Sequence, residues 1–447
     1  MGRRAAEHPA GRVSEVFDCA AERQVAYDFL ESPHTQWEGI AEAMGAAAAA
    51  RSVGLPYVVV PVDHCVFSLL NQSHDVAERK DFGAIGAAGS GLRGMHAITG
   101  LVLTPQGVAL GVGAMKWWSR PRQPHGRSRP ERELARLDET ELGHWASVLD
   151  KTRAQLAEHA PAVVPWFQLD RGGDVWRLMR FLHEGGYHFT VRARANRCVL
   201  DRQGRRRRTL ELLCKSPLQG VVHLPVRAQP QRQQRVARLH VRASAVTLRL
   251  RNPGAWQPIL MPVIAVWVHE VWTTPRNEKP IDWLLWTSAR VETFGDLLAV
   301  VRTYGLRWRI EDPHKTWKSG ACRVEETQLH RVEHATKWAT LLAAVAARVE
   351  RLKHLARNEP ALPASVELHP REIQALLLLK GEQKKRTEQL SPAPTIAQAV
   401  RWIADLGGYT GQRSSGPPGS IVIARGLEKL STAALLLEAL ERAPARQ

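Results

Sequence analysis

Four side chains capable of chemistry recur at helical spacing: Tyr304, Arg307, Glu311 and Lys318, in the pattern Tyr-x2-Arg-x3-Glu-x6-Lys. At 100° per residue, offsets of 3, 7 and 14 return to within about 60° of the starting direction, so one continuous helix would present all four together. A phenol, a guanidinium, a carboxylate and an ammonium would then line one surface, and guanidinium grips phosphate bidentately. The alternative is a solvent-exposed ion pair of Arg307 with Glu311, which does not require Tyr304 and Lys318 in register. Two aspartates stand where buried strands end. Tyr57-Val58-Val59-Val60, within residues 56–62, reads as a strand that delivers Asp63, and residues 163–169 read as a second that ends at Asp170. Taken alone, either aspartate suits a turn or a helix cap better than a site.

The elements that must position these residues follow an α/β order. Residues 96–103 and 108–118 flank Thr104-Pro105-Gln106-Gly107, a turn signal, and together predict a hairpin followed by a charged loop. Leu142, Trp145, Val148, Leu149 and Leu156 recur at helical spacing. A helix over 174–184 then follows the second strand, and the alternating His188-Thr190-Arg192-Arg194 face reads as a further strand. Pro61 is awkward inside the first strand, because it removes a ladder donor. Residues 221–286 alternate Val, Leu and Arg and read as an all-β insertion, with Arg205 to Arg208 as a solvated loop at its mouth. From 291 onward the pattern is helical, with apolar stripes at 338–352, 373–379 and 396–406 and a loop at 414–420. Strand, hairpin, helix, strand, helix, strand predicts an α/β fold around a mixed sheet.

Charge narrows the partner. The 447 residues carry 62 basic and 44 acidic side chains, a formal +18. Of the cations 49 are Arg, and residues 192–251 hold 15 Arg and Lys215 against Asp201 and Glu211, which concentrates +14 of the +18 there. Such a stripe favours a phosphate-facing surface over a merely solvated one. Five cysteines form no CxxC pair or zinc-ligand spacing, which predicts a reducing compartment. There is no apolar leader and no run of about 18 apolar residues, so neither secretion nor a membrane span is expected.

The stretch YGLRWRIEDPHKTWKSG, residues 304–320, closely resembles the YREK signature of insertion-sequence-four transposases, the DDE cut-and-paste branch that includes the transposase of transposon five. The resemblance runs from about residue 20 to the C-terminus, through AYDFLESP, VDHCVFSL, LDRGGD, PIDWLLWTS and WIADLGGY. It implies a ribonuclease-H-like mixed-sheet catalytic core with an all-β insertion and helical terminal regions. The corresponding division is a helical end-binding region at 1–54, the first part of the core at 55–215, the insertion at 216–290, the last part of the core with its Glu helix at 291–335, and a helical dimerisation region at 336–447.

By matching positions the resemblance makes Asp63, Asp170 and Glu311 catalytic and assigns them two Mg²⁺ ions, for which Mn²⁺ may substitute. Carboxylate oxygen suits a hard cation, and paired ions roughly 3.5 to 4 Å apart stabilise both the attacking and leaving oxygens of an in-line displacement. It implies that Tyr304, Arg307 and Lys318 hold the phosphates of a DNA hairpin intermediate, that Trp283 receives an unstacked base, and that Arg192 and Lys315 contact DNA. In this scheme water nicks one strand, the new 3′-hydroxyl attacks the opposite strand to form a hairpin, water reopens it, and the 3′-hydroxyl joins target DNA. The implied partners are double-stranded DNA, as transposon ends and target, and a second copy in a synaptic homodimer, with no membrane. The implied place is the bacterial cytoplasm, at the nucleoid.

Three departures from the family pattern carry expectations. His64-Cys65 follow Asp63 where relatives commonly have hydroxyl residues. Pro313 is expected to kink or restart the helix two residues after Glu311. The chain also begins late relative to the family, inside the region used for end recognition. That leaves an alternative function: a catalytically silent, N-terminally truncated DNA-binding relative that inhibits transposition.

Overall fold

A computed structural model of the protein describes residues 1–69, 81–86, 92–120, 136–226, 228, 232–251, 256–382, 392–412 and 416–442. Most of the charged loop expected after the hairpin, and residues 414–415 of the 414–420 loop, lie outside these. The fold is mixed α/β, with a mixed sheet and helices, and divides into two compact units.

The first unit comprises residues 54–63 and 125–308. Its central strands are the beginning of β1 (Tyr57–Ser68), β5 (Val164–Leu169) and β6 (His188–Arg192), all parallel. Between them run α5 (Glu141–His159) and α6 (Trp176–Glu184). The β1–β5 ladder runs through Pro61, opposite Gln168, so this proline lies within a strand rather than at its end. Val58, Val59, Val60 and Val62 are all fully buried, as a strand covered on both faces requires.

Beyond β6 the sheet turns antiparallel. β12 (Asp282–Thr287) pairs β6, β11 (Ile259–Glu270) pairs β12, and β10 (Arg235–Leu250) pairs β11, with β9 (Gly220–Val226) alongside β10. β7 (Cys198–Leu200) pairs β10, and β8 (Arg206–Arg208) pairs β7. The arginines expected as a loop therefore include a short strand; its ladder satisfies the backbone and leaves all three side chains exposed. The helix α7 (Thr209–Lys215) follows. One face of this antiparallel part buries Leu239, Val241, Val266, Val268 and Leu285 against Leu297, Val300, Val301 and Tyr304. Those last four lie on α8 (Phe294–Gly305), started by a capping box in which Thr293 and Asp296 satisfy each other's backbone amides.

The second unit comprises residues 1–53, 64–124 and 309–447. The hairpin forms from β3 (Arg93–Leu103) and β4 (Ala109–Trp118), with β2 (Gly83–Ala84) on β3. Gly107 closes the turn at φ 85°, a conformation that favours glycine. Four N-terminal helices, α1 (Gly2–Glu7), α2 (Val13–Val16), α3 (Ala20–Glu31) and α4 (Trp37–Ala50), precede it. A short α9 (Glu311–Lys318) is followed by α10 (Val332–Asn358), α11 (Pro370–Glu382), α12 (Ile396–Leu406) and α13 (Ser420–Arg442).

The 27-residue α10 is the axis of this unit. Its N-terminal half packs Trp338, Leu342 and Val345 with the hairpin and the N-terminal helices, and its C-terminal half packs Val349 and Leu352 with α11, α12 and α13. Two buried indoles are paired along it: Trp117 Nε1 donates to Thr340 Oγ1 at 2.9 Å and Trp317 Nε1 to the Ala339 carbonyl at 2.7 Å. Lys337, 0% exposed, donates to the carbonyls of Leu30 and Ser32 and to Glu333, closing the C-terminal end of α3.

Candidate active site

The register of β1 and β5 brings the two aspartates together. The β1–β5 ladder ends at Val62 opposite Leu169, so Asp63 and Asp170 each follow the last paired residue of their strand. That end of a parallel sheet is where loops can gather side chains around a ligand. Asp170 comes directly after β5, but Asp63 does not end its strand as the apolar run suggested: β1 continues past it to Ser68. Asp170 also caps a 3₁₀ turn, Arg171–Gly173: its Oδ1 accepts from Gly172 N at 2.7 Å. The turn needs its glycines, since a Cβ on Gly172 would meet that oxygen at 2.9 Å and one on Gly173 would meet Leu169 Cβ at 2.7 Å. Asp170 is thus both the cap that sequence patterns suggest and the neighbour of Asp63.

Guanidinium groups surround the pair. Arg307 Nη1 donates to Asp63 Oδ2 at 3.1 Å, with the arginine side chain 9% and the aspartate 20% exposed. Arg192, the last residue of β6, donates from Nη2 to the Asp282 carbonyl at 2.9 Å. Burial lowers the Arg192 pKa; nearby Tyr304 opposes that shift, while Arg171 and Arg307 reinforce it. The three arginines therefore share one electrostatic neighbourhood. Arg171 is the member that sequence spacing did not single out, although its position beside Asp170 was a signal.

Tyr304 is 3% exposed, and its ring meets Trp283 edge-on, centroids 5.2 Å apart. Burial pushes the phenol pKa up against the opposing fields of Arg307 and Arg192, so it stays a protonated donor at neutral pH. Trp283 lies on the core face of β12, 9% exposed. Trp308 is 49% exposed, with the Arg307 guanidinium 5.6 Å from its ring centroid. Asp63, Asp170, Arg192, Trp283, Tyr304 and Arg307 all belong to the first unit.

Glu311, Lys315 and Lys318 belong to the second, on α9. The single helix expected through Tyr304, Arg307, Glu311 and Lys318 does not form. α8 ends at Gly305, a 3₁₀ segment covers Leu306–Ile310, and a new helix starts at Glu311. Pro313 explains the restart: it has no N–H for the carbonyl of residue 309 and its ring crowds that carbonyl, whereas in the first turn of a new helix the missing donor costs nothing. Glu311 and Asp312 consequently sit at a helix N-terminus, where carboxylates are favoured. Within α9, Glu311, Lys315 and Lys318 still share a face by spacing. Lys315 is exposed; Lys318 Nζ lies 3.7 Å from Glu325 Oε1.

A second polar cluster was not anticipated. Among the described residues, Asp312, Glu350 and His354 place ligand atoms within 4.8 Å of one another, a donor set that could hold a metal ion. The ammonium of Lys353 already lies 3.3 Å from Asp312 Oδ2 and pairs with Glu350. Glu350 Oε1 accepts from Thr316 at 2.7 Å and from Ser420 at 2.5 Å. Burial opposes ionisation of Asp312, but His354 and Lys353 outweigh it and hold the carboxyl well below the usual range. The cluster ties α9 to α10 and α13. Its signal was Glu350, Lys353 and His354 at i, i+3 and i+4, but Asp312 arrives from elsewhere in the chain.

Asp63 and Asp170 thus follow the paired ends of neighbouring parallel strands, with Arg307 on Asp63 and Arg171 and Arg192 in the same electrostatic neighbourhood. Residues 146–347 match the family model described as the transposase DDE domain. The matched stretch begins in α5, ends in α10 and takes in Asp170, Arg192, Trp283, Tyr304, Arg307, Glu311, Lys315 and Lys318; Asp63 precedes it. The match supports a DDE transposase, a DNA-binding enzyme of transposition and recombination. DDE transposases use divalent metal ions. Among the described residues no helix is long and apolar enough to cross a membrane.

Proposed function

We propose that the protein is a cut-and-paste DNA transposase of the insertion-sequence-four type, similar to the transposase of transposon five, and that Asp63, Asp170 and Glu311 are its catalytic carboxylates. The observation that carries this reading is that Asp63 and Asp170 directly follow the last pair of the β1–β5 ladder, Val62 and Leu169, with Arg307 bound to Asp63.

The site has the donors a divalent cation requires. Asp63 and Asp170 follow the paired strand ends, and Asp63, partly exposed, is paired with Arg307. Mg²⁺ or Mn²⁺, as two ions held by Asp63, Asp170 and Glu311, would supply Lewis acidity and an activated water. The chain's own groups do the rest. Arg307, already bound to Asp63, would also hold a phosphate oxygen. Tyr304 donates its phenolic proton to a phosphate oxygen, and Arg192 and Lys318 neutralise the strand. Lys315 adds a contact from the exposed face of α9. Base stacking by Trp283 requires the edge-on pair with Tyr304 to open, whereas Trp308 already offers an exposed indole beside Arg307. Water-driven nicking, hairpin formation and opening, and strand transfer are all in-line displacements at phosphorus, which one site can perform in turn. Two copies would hold two ends, in the cytoplasm at the nucleoid.

The test is cleavage of DNA carrying the element's own ends, in Mg²⁺ or Mn²⁺, with Glu311→Gln alongside. Hairpin-ended products from the unmodified protein, and none from the variant, are expected. If both proteins bind the DNA and neither cuts it, the proposal fails in favour of a silent, inhibitory relative.

A further inference from the structure

The side of the β9–β12 sheet that faces away from Leu239, Val241, Val266 and Val268 carries an aromatic and basic surface that the proposed chemistry does not use. Across it the register aligns His240, His269 and Asp282 in one row and Arg242 with Trp267 in the next, while Arg238 lies opposite His223. The rings touch in sequence. Trp267 stacks on His269 at 4.1 Å and 21°, His269 meets His240 edge-on at 5.5 Å, and His240 meets Trp272 edge-on at 5.6 Å. Arg238 lies over Trp272 at 4.7 Å.

Trp272 is the outlier of the group. It is 80% exposed, and its φ is 62°, a left-handed conformation that a bulky aromatic residue rarely adopts. Trp267, His269 and His240 are half-buried, so Trp272 is the exposed end of the four linked rings. The one acidic member of the two rows, Asp282, is occupied, since its Oδ1 accepts from Trp267 Nε1 at 2.8 Å. The net character is therefore positive and aromatic.

We infer that this face binds an unpaired DNA strand, with a base stacked on Trp272, next to the Trp267–His269 pair, and phosphate held by Arg238; Arg242 is already turned to the Ser216 carbonyl. Duplex DNA hides its base faces, so an exposed indole with a guanidinium over its ring fits a single strand. Asp282 also links the surface to the candidate site: its side chain holds Trp267 while its carbonyl accepts from Arg192, which shares the field of Tyr304 and Arg307. A strand freed at the site would leave along this face. That placement rests on the transposase reading; the stacking surface itself does not.

The test compares binding of a labelled oligothymidylate, an abasic strand of the same length and a duplex by the full chain, Trp272→Ala, Trp272→Phe and Arg238→Ala. Trp272→Ala is expected to weaken oligothymidylate binding about tenfold and to leave the abasic strand and the duplex unchanged, with Trp272→Phe restoring most of the loss. Arg238→Ala should weaken both single strands. Equal oligothymidylate binding by the full chain and Trp272→Ala, or an equal loss on all three DNAs, would overturn the inference. The readouts separate it from the proposed chemistry. A full chain that nicks element ends but binds oligothymidylate independently of Trp272 refutes the surface alone. A chain that never nicks yet needs Trp272 for the strand refutes the transposase reading alone.

Discussion

At the scale of single residues, the site turns on Arg307. Its guanidinium pairs with Asp63 at 3.1 Å and is only 7% exposed, so packing holds it in place. Lysine would keep the charge but lose the planar fork that can contact a carboxylate and a phosphate with fixed geometry. Arg307→Lys is therefore expected to weaken binding of element-end DNA about tenfold at about 0.1 M salt, the cost of one charge-assisted contact. Its thermal midpoint should stay within a few degrees of the parent. Filter binding and a melt of the same samples check this, and unchanged affinity would remove Arg307 from the phosphate site. The aspartates of this site were legible in the sequence because each follows a buried apolar run, although β1 itself continues beyond Asp63 to Ser68. Trp283 was less legible. The motif says that a tryptophan is present, but the pleat decides which face of β12 it takes, and register is a property of strands distant in sequence.

Elements explain why the four-residue signature is not one surface. Helical spacing from Tyr304 to Lys318 assumed an uninterrupted helix, and Pro313 makes that geometry unavailable from a position outside the signature. The interruption divides the segment into α8, which buries Tyr304, and α9, which begins with Glu311. Pro313→Ala returns a backbone donor and removes the ring, which favours α-helix through residues 306–310. Far-ultraviolet helicity is expected to stay the same or rise slightly, while nicking falls at least tenfold because Glu311 rotates away from its present start position. Preserved nicking would show that the restart is incidental. Other elements were legible because their signals are local: the turn residues 104–107 gave the hairpin, and the apolar stripes gave α10 and α12. The Asp312–Glu350–His354 cluster was not, since it joins side chains about 40 positions apart whose meeting depends on how α9 packs on α10.

At the scale of the whole molecule, pH tests both units together. Desolvation lowers His188, in the first unit, to about 4, and lowers His314, in the second, to about 3, where its Nε2 lies 2.7 Å from Thr99 Oγ1. Both folded values lie below the unfolded 6.5, so as pH falls through 6.5 the unfolded chain takes up protons that the folded chain refuses. The stability contributed by keeping these rings neutral is complete above pH 6.5 and is lost progressively toward pH 4 and 3. Burial lowers His240, His269 and His354 in the same direction. Glu270 differs. Its own burial is outweighed by Arg235, the Ile281 amide and Thr273, which hold it at about 2, so its contribution is lost only below its unfolded value of 4.5. Between pH 6.5 and 4.5 the fall in stability comes from the histidines, opposed in sign by Asp174, whose carboxyl pKa is pushed up by burial. The urea midpoint is expected to drop from pH 7.5 to pH 5.0, and the drop to shrink in a His188→Gln, His314→Gln double variant. A midpoint independent of pH over that window would mean that these rings are hydrated in the folded protein and that the packing around Thr99 and Trp166 is looser than the fold requires.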